Sequence, residues 1–153
     1  MPEQRQLYDY WHALSGDNDM PTRADIRPEN IHRILPSISL IDVHAEIGKC
    51  KVRLAGTKLR EIYDREITGS VLDDFDWGDK KAYWLAAYQN VIDERKPTQG
   101  VLRGPLVHKE HVIQYWLRLP LRTTTNDVSM ILCYDYFMPS SENFAEEQRA
   151  SGE

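Results

Sequence analysis

Apolar residues first recur at helical spacing. Leu7, Tyr10, Trp11 and Leu14 form one stripe, which Ser15-Gly16 interrupts, predicting an amphipathic helix before a linker over residues 16–21. Pro28 suits the first turn of a short helix carrying Ile31, Ile34 and Leu35, closed by Pro36. The period then drops to two. Residues 38–44 are rich in β-branched side chains, and Cys50, Val52 and Leu54 alternate with Lys51 and Arg53 beyond a turn at Glu46-Ile47-Gly48, predicting a hairpin. Thr57 is a candidate N-cap for a short helix with Leu59, Ile62 and Tyr63 on one face. Residues 64–77 are irregular. Asp79 then reads as the cap of a longer helix whose stripe is Trp84, Leu85, Tyr88, Val91 and Ile92, ended by Lys96-Pro97.

Three more strands follow. Residues 98–107 make a weak one, broken by Gly104-Pro105 and placed at a sheet edge. Ile113, Tyr115, Leu117, Leu119 and Leu121 alternate with Gln114, Trp116 and Arg118, the clearest strand of the chain. Residues 128–138 are apolar on both faces, predicting a central strand. Short turns make neighbouring strands antiparallel, so the two strand blocks join into one five-stranded sheet with the helices between them crossing one face. The fold class is α+β, divided as a flanking helix and linker (1–19), a main domain (20–138) and a polar tail (139–153) expected to fray.

Charge and composition narrow the classes. A net charge of −5 without a Lys/Arg run argues against nucleic-acid binding. The N-terminus lacks the apolar stretch of a signal peptide, no window approaches a membrane span, and two cysteines fit a reducing compartment, so the expected location is cytoplasmic.

Several blocks resemble a family of PAS-like bacterial proteins, known chiefly from alphaproteobacteria. They are Met20-Pro-Thr-Arg-Ala-Asp-Ile-Arg-Pro-Glu29, Leu35-Pro-Ser-Ile-Ser-Leu-Ile-Asp-Val43, Val52-Arg-Leu-Ala-Gly-Thr-Lys-Leu59, Asp64-Arg-Glu-Ile-Thr-Gly69 and Leu117-Arg-Leu-Pro-Leu121. Asp64 stands where the family more often carries Gly, which perturbs the turn into Arg65-Glu66. The resemblance implies a PAS fold with strand order 2-1-5-4-3, and sensing or protein contact in bacterial signalling rather than a reaction. It brings no catalytic residue set. In that order Cys50 and Cys133 sit on strands separated by a third, two intervals of about 4.8 Å apart, too far for a disulfide.

Candidate chemistry is thin. A haem-type PAS sensor places a His on the long helix, and residues 79–96 contain none; a flavin-adduct Cys motif surrounds neither cysteine. Neither haem nor flavin is expected. His108 and His111 lie in a hairpin turn where their side chains diverge, and Asp73, Asp74 and Asp76 lack the order of a calcium loop, so no metal is predicted. Leu59, Ile62, Trp84, Tyr88 and Val91 are expected to face Tyr115, Leu117, Met130 and Leu132, either as packed core or as walls of a pocket for an unidentified small ligand. The stripe Leu7, Tyr10, Trp11 and Leu14 either docks on a second copy or another protein, making a homodimer or a complex, or folds back onto its own sheet. The reading is thus a sensory or protein-interaction module without enzymatic activity. The alternative is a cone-type α+β enzyme or ligand carrier with a pocket His or Asp such as His44 or Asp42; strand order separates the two.

Overall fold

A computed structural model describes residues 2–139. Helix α1 (Pro2–Ser15) begins with a proline, whose missing N–H would be unpaired in a first turn anyway, and gives way at Gly16 with φ +56°. Three short 3₁₀ turns then lead to β1 (Ile38–Asp42) and β2 (Lys51–Ala55). Helix α2 (Thr57–Tyr63) follows, then further 3₁₀ turns, and α3 (Lys81–Glu94). Strands β3 (Thr98–Arg103), β4 (Val112–Arg122) and β5 (Val128–Pro139) close the described chain. The polar tail beyond Pro139 lies outside the described residues.

The strands form one antiparallel sheet in the order β2-β1-β5-β4-β3. The apolar run of β5 is central, between β1 and β4, because a strand buried on both faces has no wet side to serve. This order also sets aside the cone-type alternative. Asp79 is not a helix cap: it sits inside a 3₁₀ turn (Gly78–Lys80), and α3 starts two residues later.

Asp64 ends α2 in the left-handed conformation, φ +58°, closing the helix with its N–H on the Glu61 carbonyl. A Cβ crowds the backbone there, and glycine does not, which is the physical reason a Gly suits this position.

The strongest departure from the sequence reading is which face of the sheet meets which helix. On β4 the polar positions Gln114, Trp116 and Arg118 point toward α3, where Arg118 lies over the rings of Trp84 and Tyr88. The apolar positions point the other way, under α1. There Leu40, Leu132 and Leu119 sit side by side across three strands, all buried. Both faces of the sheet are therefore covered, and the polar side of the alternation is the inside of the domain.

Candidate functional site

The layer between the sheet and α2/α3 is aromatic around one ion pair. Arg118 and Asp135 occupy neighbouring strands, Arg118 opposite Cys133 and Asp135 opposite Trp116, so their side chains share the helix-facing side. Arg118 donates through Nη2 to Asp135 Oδ1 at 2.9 Å, and both side chains are only 3% exposed. Gln114 Nε2 donates to the same oxygen at 2.6 Å, and Arg118 Nη1 donates to the carbonyls of Leu117 and Tyr134 at 3.1 and 3.3 Å. The guanidinium is held over the rings of Tyr88, Trp84 and Trp116 at 5.1, 5.3 and 5.5 Å from their centroids. Ring quadrupoles and one carboxylate thus share the solvation of a buried cation.

Burial alone would weaken the proton's hold on Arg118, but the Asp135 charge beside it more than reverses this and keeps the guanidinium charged. Burial pushes Tyr88 well above its ordinary range, despite the opposing pull of Arg118, so its phenol stays neutral. Burial likewise raises Cys133 to about 11. Three donors in the layer, Arg118 Nε, Trp84 Nε1 and Trp77 Nε1, have no hydrogen-bond partner among the described residues.

Rings fill most of the remaining space. Phe75 stacks on Trp77 at 5.0 Å, Trp77 meets Trp84 at 5.9 Å, and Trp84 meets Trp116 edge-on at 5.7 Å. Trp116 fits against the sheet only because position 100 is glycine: a Cβ there would come within 2.6 Å of Trp116 Cζ2.

Of the residues expected to line this layer, Leu59, Trp84, Tyr88 and Val91 are buried and Ile62 is half-buried. Tyr115, Leu117, Met130 and Leu132 are not part of it. They share the face of Tyr134, whose hydroxyl donates to Glu3 of α1 at 2.8 Å. Strand alternation puts every second residue on one face, so a reversed face assignment moves all four together. Arg118, Asp135, Gln114 and Trp116, which do build the layer, escaped the sequence reading as a site. The available signal was an Asp in an otherwise apolar central strand, paired in register with a strand carrying Arg.

The α1 stripe is used within the chain. Leu7 is fully buried, and Trp11 is 4% exposed with its Nε1 donating to the Pro120 carbonyl at 2.9 Å. Tyr10 accepts a hydrogen bond from the Arg27 N–H at 2.9 Å, and Leu14 packs half-buried on the core. Of the two courses its sequence leaves open, the stripe takes the second and meets its own sheet, because the β4 face beneath it is apolar. On that face α1 leaves a cleft of about 930 Å³ toward β3, walled by Tyr8, Pro97, Val101, Tyr115, Leu117 and Met138, with Gln4, Arg5 and Gln99 at its polar side.

Both cysteines are free and buried. All five histidines are exposed, and no three metal-binding side chains gather among the described residues. Asp73 pairs with Lys81 at 3.2 Å.

Sheet order, the helix layer on one face and the flanking helix on the other define a PAS-type sensory fold. The chain belongs to the PAS domain family, whose model matches residues 1–134. Among curated proteins none matches it in sequence. Among solved structures it is similar to a Rhodobacter sphaeroides LOV protein, with 18% identity, TM-score 0.57, and 97% of this chain against 75% of that one covered. An RNA-binding light-oxygen-voltage receptor matches at 14% identity and TM-score 0.60, over 86% of this chain and 39% of the other. A Burkholderia thailandensis sensory box histidine kinase/response regulator matches at 12% identity and TM-score 0.51, over 82% and 95%. At these identities the likeness is one of fold.

The LOV likeness raises the question of a flavin, and the residues do not fit one. A tricyclic ring needs the volume that Trp77, Trp84, Trp116 and the Arg118–Asp135 pair hold. Neither thiol is offered from a helix: Cys50 is bonded to the His44 backbone in a loop, and Cys133 lies on β5.

Proposed function

We propose that this chain is a PAS signalling module of bacterial type that works through contact with another protein, not through a resident chromophore. The observation that carries the reading is the filled interior: a buried cation, its carboxylate and three indole rings occupy the layer beneath α3. A core built this way is a rigid scaffold, while the open features of the domain lie outside it. Catalysis has no support in the layer, since the carboxylate is committed to Arg118 and Gln114.

A second reading is small-ligand sensing in the same layer. It is favoured by three buried donors without hydrogen-bond partners among the described residues, Arg118 Nε, Trp84 Nε1 and Trp77 Nε1, which small acceptor groups would satisfy.

A thermal-shift panel with FMN, FAD and haem tests the first reading. No stabilisation is expected from any of them. A ligand that binds the folded state at about 100 times its Kd adds about 2.7 kcal/mol, which appears as a rise of several degrees. Such a rise with a flavin or haem would refute the chromophore-free reading.

A further inference from the structure

Helix α1 covers its face of the sheet only in part. Leu7 and Trp11 are buried, but toward β3 the cleft of about 930 Å³ stays open. Around it Tyr8, Pro97, Tyr115 and Met138 are only half-buried, and Val101 is 55% exposed. Its polar side is spent within the chain. Gln4 Nε2 donates to Gln99 Oε1 at 2.9 Å, and Arg5 pairs with Asp9 at 3.1 Å. What the cleft offers is therefore apolar: two phenol rings, a proline, a valine and a thioether. An aromatic ring suits such walls, since it packs edge-on or offset against other rings and against sulfur.

The path of the chain says which ring is at hand. Strand β5 ends at Met138-Pro139, and Met138 is itself a wall of the cleft. The following segment, residues 140–153, therefore starts at the mouth of the cleft. It opens Pro139-Ser140-Ser141, a run of turn-forming types, and holds one large apolar residue, Phe144. Phe144 is six residues beyond Met138, a span of up to about 20 Å. The far wall is nearer than that. Val101 stands opposite Tyr115, and Tyr115 opposite Tyr136, two residues before Met138. Two strand spacings across and two residues along put Val101 about 12 Å from Met138, which leaves length for a reversal. A segment tethered this closely also acts at a local concentration on the order of millimolar, which favours it over a free competitor.

We infer that the cleft between α1 and β3 is the seat of this chain's own segment 140–153, anchored by Phe144 against Tyr8, Tyr115 and Met138. The inference goes beyond the protein-contact reading and does not depend on it. Its consequence is a covered sheet face: a partner reaches Tyr115 and Met138 only after displacing Phe144.

Proton NMR of the full chain with labelled methionine methyls and phenylalanine rings tests it. Nuclear Overhauser contacts from the Phe144 ring to the Met138 methyl are expected. Phe144→Ala is expected to abolish them and to shift the Met138 methyl, while the Met130 methyl, eight residues back along β5, stays in place and reports an intact fold. A mixture of labelled and unlabelled protein separates contacts within one chain from contacts between two. No contact, a Met138 methyl indifferent to Phe144→Ala, or a contact found only between chains would each overturn the proposal. None of these outcomes bears on chromophore binding, so the two readings fail separately.

Discussion

Replacing Arg118 by Met keeps most of the stem's volume but removes the cation from a layer where both partners of the pair are only 3% exposed. Asp135 then loses the Nη2 bond, and the rings of Trp84, Tyr88 and Trp116 lose the charge they enclose. Breaking one side of a buried pair costs about 3–5 kcal/mol, chiefly because the other charge stays buried without compensation. That is a large part of the ~5–15 kcal/mol that holds a domain together. For a chain of this size it corresponds to a fall in Tm of roughly 6–20 °C. Urea melts followed by tryptophan fluorescence measure it directly, since Trp77, Trp84 and Trp116 line the layer. Removing both charges, as Arg118→Met with Asp135→Leu, is expected to restore most of the loss, because an apolar pair needs no compensation. A single-variant loss below about 1 kcal/mol, or a double variant no better than the single, would refute the claim that charge pairing organises this core.

Further outcomes follow from particular contacts. Trp11→Ala empties the site under α1 and forfeits the bond to Pro120, and is expected to cost about 3–5 kcal/mol in a urea melt without changing the sedimenting mass. Asp64→Gly relieves the left-handed cap and is expected to stabilise by up to about 1 kcal/mol, read as a higher urea midpoint. Gly100→Ala drives a Cβ toward Trp116 and is expected to cost about 1–3 kcal/mol, with a changed fluorescence maximum. Cys133 is raised to about 11 by burial, so native protein at pH 8 is expected to leave a thiol reagent unreacted until urea exposes both cysteines. The sign for stability is fixed by the same shift: a thiol raised in the folded state contributes fully below its unfolded value near 8.5, and that contribution declines as pH rises toward 11.

The five strands were legible because their period survives in the sequence, and β5 as a central one because it is apolar on both sides; their order was implied by the family resemblance. The helices α1, α2 and α3 were legible from their stripes. What period two does not say is which phase faces which helix when both faces are covered. Arg118 and Gln114 look like solvent positions by type, yet an ion pair with Asp135 and three aromatic faces make burial tolerable, and of those partners only Trp116 is local in sequence. The fate of the α1 stripe had the same root. Once the apolar phase of β4 faces outward from the helix layer, Leu7 and Trp11 have a surface of their own chain to cover. The edge position of β3 was legible from its weakness and its Gly104-Pro105 break; that the β2 edge is bonded to residues 69–72 is a matter of tertiary placement.

The central claim is that the space beneath α3 belongs to side chains and not to a cofactor. Native mass spectrometry with an absorbance spectrum of the freshly purified chain tests it most directly. The account predicts a mass of 17.9 kDa or an integer multiple, and no absorption beyond that of tryptophan and tyrosine. A visible band, or a mass increment that denaturation releases, would contradict it.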